Sequence, residues 1–231
     1  MGGLTAIIPA RSGSKRIKNK NLLELNGKSL INLSVDFALQ CNINKIIVSS
    51  DSDEYLDSVV SKNVTLHKRS ILGSSDEASD FDVFNEIQET YKIGPDESIC
   101  WLRPCSPFRS VKLFSEMYEM HLKHQKAVRS LRPVRERPEW MYKFGNNHQI
   151  SPLDMSSYNQ QSKFLDEIHI VSGQIDINFA NNISSSKSLV SLDSLGVVDL
   201  ITPYVIDIDY MDEYKFATSV VGETSATLNY I

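Results

Sequence analysis

Short apolar runs alternate with amphipathic segments through the first half of the chain. The runs of strand length are Leu4–Ile8, Lys45–Ser49, Val64–His67 and Ser98–Leu102. Apolar residues recur at helical spacing in 29–41 and 80–91, and a short helix is predicted at 53–62. Strands that alternate with helices predict a three-layer α/β fold with a mainly parallel sheet, because such a sheet needs helices over both faces.

The strand–helix rhythm changes between residues 133 and 179, where prolines, asparagines and short alternating runs replace it. We interpret 138–179 as an inserted arm that ends in a strand at Ile168–Ile177. Residues 1–137 then form the α/β core. The last segment, 180–231, is expected to return to the core with a strand at Pro203–Asp207 and a helix at Asp212–Ser219.

The charge balance argues against a protein that binds nucleic acid. Lys and Arg number 24 against 29 Asp and Glu, for a net charge of −5, whereas a protein that coats duplex nucleic acid is usually basic. No apolar run reaches the roughly 18 residues of a membrane span, and Met1–Thr5 lacks the basic start of a signal peptide. Cys41, Cys100 and Cys105 cannot all pair, which favours a reducing, cytoplasmic location.

Several common active-site motifs are absent from the sequence. It has no phosphate-binding P-loop, no Gly-x-Gly-x-x-Gly and no Gly-x-Ser-x-Gly. Cys100 and Cys105 lack the second cysteine pair that a zinc site would need. His121 and His124 are spaced one helical turn apart, but no third ligand lies nearby, so we interpret them as a surface pair.

The loop after the first strand is the most informative segment. Ligands of parallel sheets bind beyond the carboxyl ends of the strands, so the segments after the first, second and fourth strands are expected to face one crevice. Residues 11–21 hold five cations and no acid in an otherwise acidic chain. The small residues Ser12, Gly13 and Ser14 let backbone N–H groups approach an anion. The pattern indicates a phosphate-binding loop, and a solvated basic loop is the alternative.

Two aspartates near the C-terminus suggest a metal site. Asp207 and Asp209 are two residues apart on the predicted strand, so both carboxylates are expected on one face. Like charges this close are unfavourable without a cation, and Mg²⁺ is commonly held by one or two carboxylates together with phosphates. The alternative is a strand end exposed to solvent.

Several segments together resemble one enzyme family. Ile7–Arg16, followed by Lys20 and Asn21, resembles the first signature of the acylneuraminate cytidylyltransferases, the CMP-sialic acid synthetases. Further segments resemble later motifs of that family in the same order: Ser49–Ser52, Arg69 with Asp76–Asp80, Leu102–Arg109, Pro138–Lys143, Ser172–Asp176 and Ile206–Asp209. The resemblance implies a Rossmann-like nucleotidyltransferase core with an inserted dimerisation arm, and therefore a homodimer.

The resemblance also implies a reaction and a set of site residues. CMP would be transferred from CTP to the anomeric hydroxyl of a nine-carbon acidic 2-keto sugar, of the sialic, legionaminic or pseudaminic acid type, with release of pyrophosphate. The catalytic residues would be Arg11, Lys20 and Asn21. Those binding the nucleotide would be Ser12, Gly13, Ser14, Lys15, Arg69, Asp76, Ser79, Asp80, Arg103 and Ser106. Those binding the sugar would be Lys143, Gln161, Ser172 and Gly173. Asp207 and Asp209 would hold Mg²⁺, or alternatively Mn²⁺.

Two departures from the family pattern affect specificity. Arg103 replaces a base-reading Gln, and its donors suit cytosine O2 and N3 or guanine O6 and N7 equally. Asn159–Gln161 stands where the family has Arg-Gln, so the Arg expected near the acceptor carboxylate is missing. Lys143 remains as a single point charge, and a replacement could come from Arg132, Arg135, Arg137 or a partner subunit. We therefore predict an acidic nine-carbon sugar other than, or in addition to, N-acetylneuraminate.

Other classes of protein remain open at this point. A metal-dependent glycosyltransferase can share an α/β sheet and an acidic metal pair, but it has little need for five cations near a diphosphate. A non-catalytic nucleotide-binding protein would bind nucleotide without turnover. RNA binding is disfavoured by the acidic net charge and by the absence of aromatic residues within the basic loop.

Overall fold

A central seven-stranded sheet organises the protein in the computed structural model, which describes residues 2–223 except 72, 76, 135 and 203. The strands in chain order are β1 (Leu4–Pro9), β2 (Glu24–Leu25), β3 (Lys28–Ser29), β4 (Lys45–Ser50), β5 (Thr65–Lys68), β6 (Ser98–Trp101), β7 (Val128–Pro133), β8 (Tyr142–Phe144), β9 (Ile150–Pro152), β10 (His169–Phe179) and β11 (Leu195–Val198). The sheet runs in the order β11-β7-β10-β6-β1-β4-β5. All its pairs are parallel except those made by β10, so the predicted mainly parallel sheet is confirmed.

Helices cover both faces of this sheet. They are α1 (Leu30–Gln40), α2 (Asp53–Asp57), α3 (Asp80–Tyr91), α4 (Val111–His124), α5 (Ala180–Ser186) and α6 (Met211–Glu223). The core on one face includes residues of α1, α2 and α4, and the core on the other includes residues of α3 and α5. A third cluster joins α6 to the loop after β1 through Ala217, Ile17, Ile206 and Ile208. The three-layer α/β architecture predicted from the sequence is therefore confirmed.

Serine side chains fix where several helices begin. Ser29 and Ser110 accept a hydrogen bond from the backbone N–H three residues on, at the starts of α1 and α4. Ser79 and Asp82 form a reciprocal capping box at the start of α3. The first turn of α3 is thereby held at the carboxyl edge of the sheet, where β1, β4 and β6 end.

Two predicted elements differ from the structure. The helix predicted at 53–62 ends at Asp57, where the Ser58 hydroxyl donates to a carbonyl of the last turn. The strand predicted at Pro203–Asp207 is wrong. Residues 204–209 have no regular structure, and Pro203 lies outside the described residues. The segment runs beside the loop after β6, to which the Ile208 N–H donates at the Cys105 carbonyl, 2.8 Å.

The predicted arm begins as a separate excursion and ends within the core sheet. β8 and β9 form a small antiparallel hairpin, and three short 3-10 helices at Pro138–Trp140, Asn146–His148 and Ser162–Phe164 complete the excursion. β10 then runs between β6 and β7, with a shift in register between Val171 and Asp176. The last strand of 138–179 is therefore shared with the core.

His121 is not part of a surface pair, as the sequence suggested. It is fully buried between α4 and the sheet, whereas His124 is exposed. Its Nε2 lies 3.0 Å from Ser98 Oγ and its Nδ1 lies 2.6 Å from the Lys126 carbonyl, so both ring nitrogens have partners. Among the described residues, no helix combines the length and apolarity needed to cross a membrane.

Candidate active site

The loops that follow β1, β4 and β6 meet at one edge of the sheet, as the parallel topology predicts. Together with the start of α3 they enclose a cleft of about 380 Å³. Its walls are formed by Pro9, Arg11, Ser14, Lys20, Asn21, Arg69, Ala78, Ser79, Asp80, Val83, Arg103, Pro104 and Cys105. Eight of the residues predicted to catalyse or to bind nucleotide thus lie around one space, although they come from segments far apart in the chain.

Asp51, at the end of β4, holds the basic loop in place. Its two carboxylate oxygens accept hydrogen bonds from the Ser12 backbone N–H, 2.8 Å, and from the Ser12 hydroxyl, 2.7 Å. Partial burial alone would raise the pKa of Asp51, but the hydrogen bonds from Ser12 outweigh it and lower the pKa below its ordinary value. On the other side of the loop, the buried Asn21 amide donates to the Arg11 carbonyl at 3.0 Å. The loop next to the cleft is therefore pre-ordered.

The two predicted metal ligands lie on one side of an extended segment. Ile206 and Ile208 are buried, whereas Asp207 is exposed and Asp209 half-exposed, so the alternation expected of a strand is kept without one. Lys20 Nζ lies 2.9 Å from Asp209 Oδ1 and Arg16 Nη1 lies 2.5 Å from Oδ2. These cations lower the pKa of Asp209, although its partial burial alone would raise it.

Asp207 lies beside residues predicted to bind nucleotide and sugar. The Ser106 hydroxyl donates to Asp207 Oδ1 at 3.4 Å. Gly173 lies on the bulge of β10 at a φ of +75°, and a Cβ there would lie 3.2 Å from Ser106 Oγ. A side chain at Gly173 would thus be strained and would crowd this corner. Gly173, Ser106 and Asp207 therefore lie together, next to Cys105 of the cleft wall.

Arg69 and Arg103 line the cleft in different ways. Arg69 is buried against β4, where its Nε donates to Ser49 Oγ at 3.0 Å and its Nη2 to the Ser49 carbonyl at 3.1 Å. Burial lowers the pKa of Arg69. Arg103 instead bridges two carboxylates, with Nη1 2.7 Å from Asp176 Oδ2 and Nη2 2.7 Å from Asp80 Oδ2. Its terminal nitrogens are therefore committed to protein carboxylates.

Asp176 is the centre of a buried ionic cluster beside the cleft. The side chain is 2% exposed, and its second oxygen accepts a hydrogen bond from Arg129 Nε at 2.8 Å. Burial alone would lower the pKa of Arg103, but Asp176 and Asp80 raise it above its ordinary value. A buried carboxylate that accepts a hydrogen bond from an arginine on each oxygen is fixed in orientation.

Some predicted site residues do not reach the cleft. Lys143, in β8, and Gln161 are exposed on the arm and form no part of the cleft wall described above. The Ser172 hydroxyl is buried and donates to Ser130 Oγ at 2.7 Å, so it supports the bulge of β10. Gly13 has open space around its α-carbon, and Lys15 is exposed. Asp76 lies outside the described residues.

Cys105 was not predicted as a site residue, although it lines the cleft. Burial and the nearby Asp207 raise the pKa of its thiol to about 12, so it stays protonated at neutral pH and is a poor nucleophile. The sequence signal for it was its position in the motif after β6. Arg129 had no comparable signal, because its contact with Asp176 spans 47 residues.

A basic loop at the carboxyl end of the first strand, facing acidic residues across a polar cleft, defines an α/β nucleotidyltransferase. A family model described as cytidylyltransferase matches residues 5–189. The chain belongs to the cytidylyltransferase family, which confirms the family resemblance found in the sequence.

Individual relatives agree with this membership. The chain is 31% identical over 199 residues to the CMP-N,N'-diacetyllegionaminic acid synthase of Legionella pneumophila, covering 81% of this chain and 83% of that protein. It is 32% identical over 170 residues to the N-acylneuraminate cytidylyltransferase of Escherichia coli, covering 69% of this chain and 39% of that longer protein. The fold matches the CTP complex of CMP:2-keto-3-deoxy-manno-octonic acid synthetase with a TM-score of 0.70 at 14% identity, covering 96% and 99% of the two chains.

Proposed function

We propose that the protein transfers CMP from CTP to the anomeric hydroxyl of a nine-carbon acidic 2-keto sugar and releases pyrophosphate. The observation that carries this proposal is the placement of Arg11, Ser14, Lys20 and Asn21 in the wall of one cleft, within a chain of the cytidylyltransferase family. Transfer to phosphorus requires mainly positioning and neutralisation of negative charge. A pre-ordered loop with five cations supplies both.

The cations of the loop have the chemistry that this reaction needs. Arg11 and Lys20 provide charge for the triphosphate and for the pyrophosphate that leaves, and Asn21 fixes the Arg11 backbone. The other predicted nucleotide contacts are the Ser12–Ser14 backbone and Lys15 on the phosphate side. Arg69, Ser79 and Asp80 form the opposite wall.

We assign Arg103 a role different from the one that the family resemblance implies. Its two terminal nitrogens are held by Asp80 and Asp176, so we assign it to the shape of the pocket and not to reading the base. Selection of cytosine would then depend on backbone groups near the start of α3. A preference for CTP over GTP in both wild type and Arg103→Gln would support this assignment, whereas a switch in base preference would contradict it.

Asp207 fits a Mg²⁺ ion that is held mainly through substrate phosphates, and Asp209 would join it by exchanging its ion pair with Lys20 or Arg16 for the metal. Among the described residues no group of three or more His, Cys, Asp or Glu side chains could hold a metal alone, and Mg²⁺ commonly uses one or two carboxylates plus phosphates and water. Asp207 is exposed, and the Ser106 hydroxyl donates to its Oδ1 at 3.4 Å, so the carboxylate remains accessible to a metal. When bound, the ion would neutralise charge on the leaving pyrophosphate.

The acceptor is proposed to be an acidic nine-carbon sugar other than, or in addition to, N-acetylneuraminate. The arm lacks an Arg before Gln160, and Lys143 alone cannot form the two parallel hydrogen bonds of a guanidinium. The similarity to a diacetyllegionaminic acid synthase supports a modified sugar. A higher kcat/KM for N-acetylneuraminate than for legionaminic- and pseudaminic-type acids would contradict this choice.

The proposed reaction is tested by measuring pyrophosphate release. CTP is offered with N-acetylneuraminate, with legionaminic-type and with pseudaminic-type acids, and the CMP-sugar is identified by mass spectrometry. We expect pyrophosphate and CMP-sugar in equal amounts. A glycosyltransferase would instead consume a ready-made sugar nucleotide without releasing pyrophosphate, and a non-catalytic protein would bind CTP and release nothing.

We also propose that the arm packs against a second copy of the chain. Apolar side chains are exposed over the whole excursion, with Phe144 75%, Ile150 61% and Phe164 71% exposed and Trp140, Met141 and Tyr142 about half so. A soluble protein seldom leaves so many neighbouring apolar side chains in water, and a twofold interface would cover them on both copies at once. Light scattering at micromolar concentration should give a dimer, and a monomer there would contradict the proposal.

A further inference from the structure

A 2-keto acid brings a carboxylate close to the triphosphate. In such a sugar the carboxylate and the reacting hydroxyl are bonded to the same carbon, so both approach the α-phosphate together. The carboxylate would repel the phosphates unless a cation faces it. The proposed function therefore requires an acceptor cation in addition to those that neutralise the nucleotide, and the inference below rests on that function.

Most cations near the cleft are already engaged. Lys20 and Arg16 pair with Asp209. Arg69 is buried and donates to the Ser49 hydroxyl and carbonyl on β4 and to the Gly73 carbonyl in the loop after β5. Both terminal nitrogens of Arg103 donate to carboxylates. None of these three arginines presents its whole terminal fork to a ligand.

Arg129 differs from these arginines. Within the described part of the chain, its hydrogen bond is made by Nε alone, to Asp176 Oδ1 at 2.8 Å, and the side chain is 27% exposed. The two terminal nitrogens are thus left for a ligand, in the planar arrangement that matches a carboxylate. Asp176 also accepts a hydrogen bond from Arg103, which lines the cleft. Arg129 is therefore connected to the cleft wall through a single carboxylate.

The sheet places Arg129 on the acceptor side. Asp176 pairs with Trp101, the last residue of β6, and with Arg129 on β7, so all three lie level with the carboxyl edge of the sheet. The arm leaves the sheet from the end of β7 and returns at the start of β10. A ligand bound between the cleft and the arm would therefore lie beside Arg129.

We propose that Arg129, oriented by Asp176, binds the carboxylate of the acceptor sugar. Asp176 is the positioning residue: its two oxygens fix Arg103 on the nucleotide side and Arg129 on the acceptor side. In this proposal the guanidinium that the arm lacks is supplied by Arg129 in the core sheet.

The test compares Arg129→Gln with wild type in the pyrophosphate-release assay. Arg129→Gln should raise the KM for the sugar acid roughly ten- to a hundredfold, because two charge-assisted hydrogen bonds are lost. The KM for CTP should stay unchanged. Wild type should also prefer the free acid to its methyl ester, and Arg129→Gln should lose that preference. Arg129→Lys keeps the charge without the fork, so it should give an intermediate KM.

Lys126→Gln is the matched control, since it removes one cation just before the same strand, at a surface pair with Asp193. It should behave as wild type. An unchanged KM for the acid in Arg129→Gln, or the same loss appearing in Arg132→Gln instead, would overturn the proposal. If Arg129→Gln does not fold, as judged by its melting temperature, the acid-to-ester ratio of Arg129→Lys decides. Wild type that turns over none of the sugar acids would instead refute the proposed function itself.

Discussion

Asp51 offers the sharpest test of the pre-ordered basic loop. Its carboxylate accepts two hydrogen bonds from Ser12, and among the described residues no other side chain hydrogen-bonds to Ser12. A hydrogen bond to a charged group contributes about 1.5–3 kcal/mol. Since Asp51 is partly exposed, the lower value applies to each bond, which gives about 3 kcal/mol for ordering the loop. In a variant that lacks these hydrogen bonds, CTP must order the loop when it binds, so the lost free energy weakens nucleotide binding.

Asp51→Ala should therefore raise the KM for CTP roughly a hundredfold, since about 1.4 kcal/mol corresponds to a factor of ten. The KM for the sugar acid should change little. Ser12→Ala removes only the hydroxyl bond, so its effect should be smaller, and the double variant should be less impaired than the two single effects combined. The assay is pyrophosphate release at varied CTP, with melting temperature as the check on folding.

Asp53→Asn is a suitable control for this experiment. Asp53 is close in sequence and equally acidic, but it pairs with Lys68 on an exposed surface, where an ion pair contributes little. Because hydrogen bonding lowers the pKa of Asp51 below the ordinary 3.8, its support of the loop is complete above that pH and is lost only as pH falls through the lower folded value. Equal KM values for Asp51→Ala and Asp53→Asn would refute the reasoning, as would strictly additive effects of Asp51 and Ser12.

The other predictions concern catalysis, metal and stability. Arg11→Ala should lower kcat/KM about a hundredfold or more with an unchanged melting temperature, because a loop guanidinium acts on the transition state and not on the core; near-normal turnover would exclude it from the site. Asp207→Asn should need far more Mg²⁺ for activity, and undiminished turnover after chelation would contradict a metal role. Burial lowers the pKa of His121 below 6.5, so its neutral form stabilises the fold fully above that pH and less as pH falls. Replacement by Gln should flatten the decline in unfolding free energy between about pH 7 and about pH 5, and an unchanged slope would count against this.

Local patterns were enough to predict the elements that surround the nucleotide side. Ser29 before a stripe of apolar residues predicted α1, and the run of buried residues before Pro9 predicted β1. The rule that ligands bind at the carboxyl edge of a parallel sheet predicted that the loops carrying Arg11 and Arg103 meet, whereas Arg69 was assigned to the nucleotide by the family resemblance. Periodicity and topology are sufficient where each loop directly follows a buried strand.

The same signals failed where long-range pairing decides the structure. Pro203–Asp207 has the composition of a strand, but residues 204–209 have no regular structure and run beside the loop after β6, where the Ile208 N–H donates to the Cys105 carbonyl. The alternation of Asp207 and Asp209 nevertheless survived, because Ile206 and Ile208 are anchored in a core cluster. The contacts of Arg103 with Asp176 and Asp80 also join residues far apart in the chain, so no local pattern predicts them.

The order of strands separates the two halves of the proposed reaction. The nucleotide side is built on β1, β4 and β6, which are adjacent and parallel. The arm departs after β7 and returns at β10, where His169 pairs with Pro133, so residues between them can change without disturbing the sheet. Asp176 lies where the two halves meet, bonded to Arg103 on one side and Arg129 on the other. Changes in the arm can therefore alter the preference for the acceptor while the phosphate-binding loop is retained. In the proposed arrangement, the ion pairs of Asp176 fix the position of the acceptor relative to the nucleotide.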